Sequence, residues 1–170
     1  MNEILGRWNQ ASPAEAAREI LACCGARAWA EKLAGRRPFS GEASLLGASD
    51  EVWLSLPAAD WLEAFHSHPR IGESRAKASL SAESASWSRQ EQGQVTGSGE
   101  EVKTSLAAAN RAYEQRFGHI FIVCATGKSA AEILAILHRR MQNDVDTELR
   151  EASEQQRQIT QLRLKKWLGI

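Results

Sequence analysis

The sequence predicts an all-α fold, a single domain of several irregularly packed helices that spans residues 1–170. Apolar residues recur at spacings of three and four along most of the chain, which is typical of amphipathic helices. Serine or proline stands where such runs begin, and glycine stands where several of them end. The predicted helices differ too much in length for a regular four-helix bundle, so we expect irregular packing.

The first half of the chain contains a clear helix start. Ser12 and Glu15 have the spacing of a capping box, and Pro13 suits the first helical position. Gly25 is a suitable stop for this helix. Further helices are predicted over residues 27–35, 43–54 and 57–66, with a break near Ser49-Asp50.

The second half of the chain is also predicted to be helical. A helix capped by Ser81 extends to Gln92 and ends near Gly93, and residues 97–99 form a flexible link. The remaining predicted helices cover residues 100–117, 130–142 and 144–168.

One segment departs from the helical pattern. Residues 120–124 (Ile120, Phe121, Ile122, Val123 and Cys124) are continuously apolar and rich in β-branched side chains. They predict a strand or a buried extended segment, and no other part of the sequence offers a strand partner. Because an extended backbone without a partner has unsatisfied amide and carbonyl groups, we expect this main chain to bind a ligand.

Charge and cysteine content exclude several classes of partner. Lysine plus arginine and aspartate plus glutamate both number 21, so no basic field attracts nucleic acid or an anionic membrane. The longest apolar run, residues 120–125, is far shorter than the roughly 20 residues of a spanning helix. No N-terminal stretch has the layout of a signal peptide, and three cysteines favour a reducing compartment. We expect a cytoplasmic protein with no nucleic-acid or membrane partner.

The tripeptide Ser67-His68-Pro69 places a histidine directly before a proline. Proline disfavours the helical backbone for the preceding residue, so His68 is expected where a helix has just ended. One interpretation is an active-site histidine, and the other is a helix-end histidine that binds a main-chain carbonyl. Position alone leaves both open.

Ser88, Glu91 and Gln92 are spaced to share one face of a helix. A hydroxyl, a carboxylate and a carboxamide on one stripe can bind a small polar ligand. Glu91 stands near a helix C-terminus, where a negative charge is mildly unfavourable. This placement favours a functional role over a solvated charge.

The last helix has a predicted apolar stripe formed by Leu149, Ala152, Ile159 and Leu162. Arg163 lies four residues after Ile159 and borders this stripe. An arginine that enters a core from its edge usually meets a carboxylate or an anionic ligand. A structural ion pair and a ligand contact are both consistent with this position.

Two other site types are not predicted. His66 and His68 would not face one another on a helix, and the other histidines lack metal-ligand spacing, so we expect no metal site. The segment Thr126-Gly127-Lys128-Ser129 lacks the earlier glycine of a phosphate-binding loop, because Ile122 occupies that position.

Four motifs follow one another along the chain in an order that is informative when they are taken together. They are residues 67–72 around His68, residues 88–92 around Glu91, residues 110–118, and Arg163-Leu164. In this order the chain resembles the 2-oxo-4-hydroxy-4-carboxy-5-ureidoimidazoline (OHCU) decarboxylases of urate degradation. Arg70 and the stretch His119-Ile120 depart from the pattern of many members, which leaves the pocket wall and any ion pair at position 70 open.

The resemblance implies an all-α homodimer that converts the small molecule OHCU to (S)-allantoin and CO2 without a cofactor. It implies that His68 is the catalytic histidine and that Glu91 acts with it. The implied substrate contacts are Pro69, Ser88, Gln92, the main chain of Ile120 to Cys124, and Arg163.

Two alternatives to a decarboxylase remain at this stage. A helical interaction module would explain the alanine-rich helices and the six tryptophans, but not Glu91 and Gln92 beside a His-Pro pair. A hydrolase of a related ureide would use His68 to activate water and would release ammonia or urea.

Overall fold

The computed structural model describes residues 2–73 and 81–170. The described residues form ten helices and no strand, which confirms the all-α prediction. The helices are α1 (Glu3–Gln10), α2 (Pro13–Cys24), α3 (Arg27–Ala34), α4 (Glu42–Leu54), α5 (Ala58–His66), α6 (Ala82–Glu91), α7 (Gly93–Thr96), α8 (Glu100–Phe117), α9 (Ala130–Arg140) and α10 (Val145–Leu168). Within the same residues, none of the helices combines the length and apolarity needed to cross a bilayer.

Capping chemistry sets the helix ends that the sequence predicts best. Ser12 and Glu15 form a capping box at the start of α2, with Pro13 at its first position. Ser129 and Glu132 form the same arrangement at the start of α9. Gly118 ends α8 in the left-handed conformation, where a side chain would be strained.

One of the predicted helix interruptions differs from the structure. The break near Ser49-Asp50 is wrong, because α4 continues through both residues. Their polar side chains are accommodated by tertiary hydrogen bonds: Ser49 accepts one from the indole of Trp29, and Asp50 accepts one from Arg157. The predicted end of a helix near Gly93 is confirmed, because α6 ends at Glu91 and the separate short helix α7 starts at Gly93.

Contacts divide the described chain into two compact units. The first unit contains residues 2–64 and 157–170, and the second contains residues 65–73 and 81–156. Helix α10 therefore contributes its residues 145–156 to the second unit and its residues 157–168 to the first.

The first unit has an aromatic core. Trp8 is fully buried, donates its indole N–H to the carbonyl of Ala16 at 2.9 Å, and stacks on Phe39. The ring of Trp167 meets that of Trp8 edge-on, with centroids 5.6 Å apart. Aromatic pairs of this kind add stability beyond their buried area.

The second unit packs α8 and α9 around the extended segment of residues 120–125. This segment is buried throughout and is neither helix nor strand, so the predicted burial is confirmed and the alternative of a strand is wrong. Phe121 and Val123 join Tyr113, Ile133 and Leu137 in an apolar cluster. The second unit also contains most of the residues that the sequence predicts to be functional.

Candidate active site

His68 lies just beyond the end of α5, as the His-Pro pair predicts. Its main-chain amide donates to the carbonyl of Phe65 at 3.2 Å, which closes the turn after the helix. The side chain is buried, and its Nε2 atom lies 2.6 Å from Oε1 of Gln156. His68 is therefore a buried, hydrogen-bonded imidazole and not a solvated residue at a helix end.

Helix α6 places Ser88, Glu91 and Gln92 at its C-terminal end. Ser88 is buried, whereas Glu91 and Gln92 are half-buried. The Gln92 amide oxygen accepts a hydrogen bond from the main chain of Gly72 at 3.0 Å. This bond connects the end of α6 to the turn that follows His68.

The turn after His68 depends on a glycine and on a second amide side chain. Gly72 has a φ of +86°, a conformation that other residues rarely adopt. The amide of Asn110 on α8 donates to the carbonyl of Ile71 at 3.0 Å. Gln92 and Asn110 therefore hold adjacent residues of this turn from two different helices.

A cavity of about 390 Å³ opens between this turn and α6. Among its lining residues are Pro69, Ser88 and Gln92, three of the side chains predicted to contact a substrate. Of the described residues around this cavity, neither His68 nor Glu91 is a lining residue, although each adjoins one in sequence. The structure therefore brings three of the predicted residues together at one cavity. The other two, His68 and Glu91, directly precede the lining residues Pro69 and Gln92 in sequence.

The extended segment is held by side chains in place of a neighbouring strand. Arg140 donates to the carbonyl of Ile122 at 2.6 Å, and Gln155 accepts from the amide of Cys124 at 2.9 Å. Lys128 donates to the carbonyl of Cys124 at 2.8 Å. These main-chain groups are already occupied, so the predicted ligand contact stays a prediction for the rest of the segment.

Arg163 lies in the first unit and is fully buried, deeper than its predicted place at the edge of a stripe. Its guanidinium donates to the carbonyl of Ala22 at 3.3 Å. Cys24 lies nearby, and burial raises the pKa of its thiol to about 12, although the positive charge of Arg163 acts in the opposite direction. The thiol is therefore protonated and chemically inert at neutral pH.

A buried charge cluster in the second unit is absent from the sequence predictions. Arg140 and Glu148 form an ion pair with both side chains fully buried, and the Tyr113 hydroxyl donates to the same carboxylate. Burial, followed by the bond to Glu148, raises the pKa of Tyr113 far above its usual range. The Arg140 guanidinium also lies 4.5 Å from the centroid of the Phe121 ring.

The two positions that depart from the family pattern are both satisfied locally. Arg70 forms a two-pronged ion pair with Glu114, with N–O distances of 2.6 and 3.1 Å. His119 is buried, and its Nδ1 lies 2.9 Å from the carbonyl oxygen of Ile120. Burial lowers the pKa of His119, so its ring is neutral at physiological pH.

The buried face of α10 is polar, which the sequence pattern did not predict. Glu148, Gln156, Thr160 and Arg163 are all buried, whereas Leu149 and Leu162 of the predicted apolar stripe are only half-buried. The four polar residues are spaced by eight, four and three positions, so they share one helix face. The helical spacing of these polar residues could have indicated a polar buried face from the sequence.

Metal binding has no support in the described geometry. In residues 2–73 and 81–170, no group of three or more histidine, cysteine, aspartate or glutamate side chains is placed to hold a metal ion.

The chain matches the OHCU decarboxylase family over residues 9–165. It is 31% identical over 129 residues to the 2-oxo-4-hydroxy-4-carboxy-5-ureidoimidazoline decarboxylase of Amia calva, which covers 75% of this chain and 73% of that protein. It is 35% identical over 150 residues to the uric acid degradation bifunctional protein TTL of Arabidopsis thaliana. That match covers 87% of this chain and 46% of the plant protein.

Solved structures show the same fold. A crystal structure of OHCU decarboxylase in the presence of (S)-allantoin superposes with a TM-score of 0.78 at 30% identity, covering 89% of this chain and 98% of that one. A crystal structure of (S)-allantoin synthase has a TM-score of 0.67 at 19% identity, covering 96% of this chain and 53% of that one, and supports the fold alone.

These matches define the class of protein: an all-helical domain of the kind found in enzymes of urate degradation. The chain belongs to the OHCU decarboxylase family. The family predicted from the sequence is therefore confirmed. The chain spans less than half the length of two bifunctional relatives, 46% of the plant protein and 26% of one from Bacillus sp..

Proposed function

We propose that this chain converts OHCU to (S)-allantoin and CO2 in urate degradation, without a cofactor. The observation that carries the proposal is the family match over residues 9–165, which includes every residue predicted to act at the site. The likeness to an OHCU decarboxylase crystallised in the presence of (S)-allantoin supports the same substrate class.

The substrate's own structure explains why no cofactor is needed. The bond between the ring carbon and the carboxylate breaks, and its electron pair moves toward the adjacent C=N bond of the ring. The ring nitrogen takes up a proton as the C=N electrons move onto it, which leaves an enol in the ring. The enol hydroxyl then loses its proton and becomes the ring carbonyl, while a proton adds to the neighbouring carbon on one face and sets the configuration of allantoin. The enzyme has to orient the carboxylate out of the ring plane, stabilise the developing charge and direct this proton.

We assign the proton-transfer chemistry to His68 and Glu91. An imidazole is the side chain best suited to exchange protons near neutral pH. His68 is buried and fixed by hydrogen bonds, which suits a group that must act in one orientation. In this assignment His68 contacts the leaving carboxylate or the neighbouring hydroxyl, and Glu91 sets its orientation and charge.

Substrate binding is assigned to the remaining predicted residues. Pro69, Ser88 and Gln92 line one cavity, which supports their joint role. In this proposal the segment Ile120 to Cys124 binds the ring and ureido group through its other main-chain groups, outside the three that Arg140, Gln155 and Lys128 occupy. Arg163 is assigned to an anionic group of the substrate, because a buried guanidinium is a strong anion partner.

Chirality of the product gives a direct test. OHCU is generated freshly from urate by the two preceding enzyme activities, the protein is added, and circular dichroism is followed. Spontaneous decay gives racemic allantoin, so a growing (S)-allantoin signal reports catalysis. Racemic product at the background rate, from folded protein, would contradict the proposal, and release of ammonia or urea would indicate a ureide hydrolase.

We also propose that residues 1–170 act as one functional domain, as a homodimer, in the cytoplasm. Cys23, Cys24 and Cys124 are buried free thiols, which is typical of proteins from reducing compartments. The homodimer follows from the family resemblance. Light scattering coupled to size-exclusion chromatography tests it: a mass near twice the 18.7 kDa chain is expected, and a monomer at working concentration would contradict it.

A further inference from the structure

Gln156 is a fully buried amide on α10, 88 residues away from His68 in the sequence. Its Oε1 atom lies 2.6 Å from Nε2 of His68, well within hydrogen-bond distance. A buried glutamine in a helix requires hydrogen-bond partners, because an unsatisfied amide in a core is costly. The contact with His68 is therefore a specific feature of this core.

We infer that Gln156 is a positioning residue that holds the neutral His68 ring in the tautomer with its proton on Nε2. The inference rests on the proposed function, in which His68 exchanges a proton with the substrate. It adds a residue that acts through His68 and does not itself touch the substrate.

The tautomer follows from the atoms that meet. An amide oxygen only accepts hydrogen bonds, so the His68 nitrogen facing it must carry the hydrogen. In a neutral imidazole the other nitrogen, Nδ1, then has the lone pair. Nδ1 is thereby defined as the atom through which the neutral ring can accept a proton.

Gln155, the residue before Gln156 on α10, contacts a second part of the proposed site. Gln155 accepts a hydrogen bond from the main-chain amide of Cys124 at 2.9 Å. Consecutive residues of α10 thus hold both the proposed catalytic histidine and the segment proposed to bind the ring. Two turns earlier, Glu148 is fixed by Arg140 and Tyr113, which restrains this part of the helix.

The tautomer can be measured without substrate. In protein with 15N-labelled histidine, long-range proton–nitrogen correlation distinguishes a ring protonated at Nε2 from one protonated at Nδ1. His68→Asn identifies the His68 signals. We expect the Nε2-protonated form in the wild-type protein and a mixture of tautomers in Gln156→Leu. An Nδ1-protonated ring in the wild-type protein would overturn the inference, whether or not the protein is active.

Enzyme kinetics of two Gln156 variants then separate positioning from folding. Gln156→Leu removes the acceptor at similar volume, and we expect kcat to fall about 10- to 100-fold with little change in KM, the range that hydrogen-bond partners of metal-bound histidines show. Gln156→Glu keeps an acceptor, so it should retain the Nε2 proton. Its carboxylate favours the charged ring, so the acidic limb of the kcat–pH profile should move to higher pH.

Gln158→Leu on the same helix is the matched control, since Gln158 is half-buried and has no assigned role. It should leave kcat and the pH profile unchanged. A Gln156→Leu variant with lowered thermal stability but normal kcat would overturn the inference, because only a structural role would remain. If the wild-type protein makes no (S)-allantoin, the proposed function fails, while the tautomer measurement still tests the contact itself.

Discussion

The two units of this protein differ in what they bury. The first contains five of the six tryptophans, and its buried polar side chains among the described residues are Ser49, Thr160 and Arg163. The second buries nine polar or charged side chains within its described part, including His68, Gln156, Arg140 and Glu148. One unit is therefore mainly an apolar core, and the other is a hydrogen-bonded polar network.

Apolar cores and buried polar networks contribute differently to a protein. Apolar packing stabilises a fold in rough proportion to the area removed from water, and it tolerates substitutions of similar volume. A buried polar network fixes each member's orientation, but removal of one partner leaves another unsatisfied. The second unit therefore has oriented, hydrogen-bonded side chains, as the proposed proton transfer would require.

The largest expected effect is on turnover. His68→Asn should lower kcat by at least about 100- to 10,000-fold, the usual contribution of general acid–base catalysis. The protein should stay folded, because asparagine can still donate a hydrogen bond toward Gln156. Initial rates of (S)-allantoin formation measure the effect, and near-normal turnover would remove His68 from the mechanism.

Loss of a buried charge partner is expected to be the largest effect on stability. Arg140→Met should lower the free energy of unfolding by about 3–5 kcal/mol, because Glu148 is left buried without its counter-charge. The neighbouring Arg139→Met is the control: its pair with Glu151 is solvent-exposed, so about 0–1 kcal/mol is expected. Urea unfolding of both variants measures the difference, and equal losses would show that the buried pair has no special weight.

An apolar deletion in the first unit should differ in its pH dependence. Leu33→Ala should cost about 2–5 kcal/mol through lost burial and a residual cavity. Since no charge is uncovered, this loss should be constant with pH. The loss in Arg140→Met should instead vary with pH, because this substitution uncovers a buried charge. Parallel pH dependences in the two variants would contradict the contrast between the units.

The smallest expected effects are at the two capping boxes, one in each unit. Ser12→Ala and Ser129→Ala should each cost about 1 kcal/mol, since both remove an N-cap acceptor. Hydrogen bonds with these serines lower the pKa of Glu15 and of Glu132. Because the pKa of each carboxyl is lowered in the folded protein, ionisation of that carboxyl stabilises the fold above the usual pKa of 4.5. This stabilisation is lost as the pH falls through the lowered pKa.

Unfolding curves at pH 7 and at pH 3 check this prediction. The cost of each serine substitution should be smaller at pH 3, because the bond between the serine hydroxyl and the glutamate carboxylate weakens when the carboxylate is protonated. Similar costs at the two caps would show that the units differ in their cores and not in their helix ends.

Helix boundaries were predictable because their causes are local. The Ser12 box, the Gly25 stop and the Gly118 stop each depend on residues within one turn of the helix end. Ser49 and Asp50 misled the prediction for the opposite reason. Their hydrogen-bond partners, Trp29 and Arg157, are distant in sequence, so the polar pair resembled a helix break.

The candidate site was predictable only in part. The His-Pro pair and the Ser88 to Gln92 spacing located an imidazole and three lining residues, because both patterns are short-range. Gln156 and Arg140 could not be found that way. A glutamine or arginine on a helix normally faces solvent, and only the folded chain brings them to His68 and Ile122.

The side-chain anchors of residues 120–124 have a consequence for the unfolded protein. The sequence Ile-Phe-Ile-Val-Cys has high β-propensity, no charge and no proline, which is the composition of segments that assemble into cross-β aggregates. In the native state Arg140, Lys128 and Gln155 bind three main-chain groups of this segment. Those groups therefore cannot form β-sheet hydrogen bonds with another molecule. Once heat releases these anchors, copies of the segment can pair with one another, and unfolding becomes irreversible.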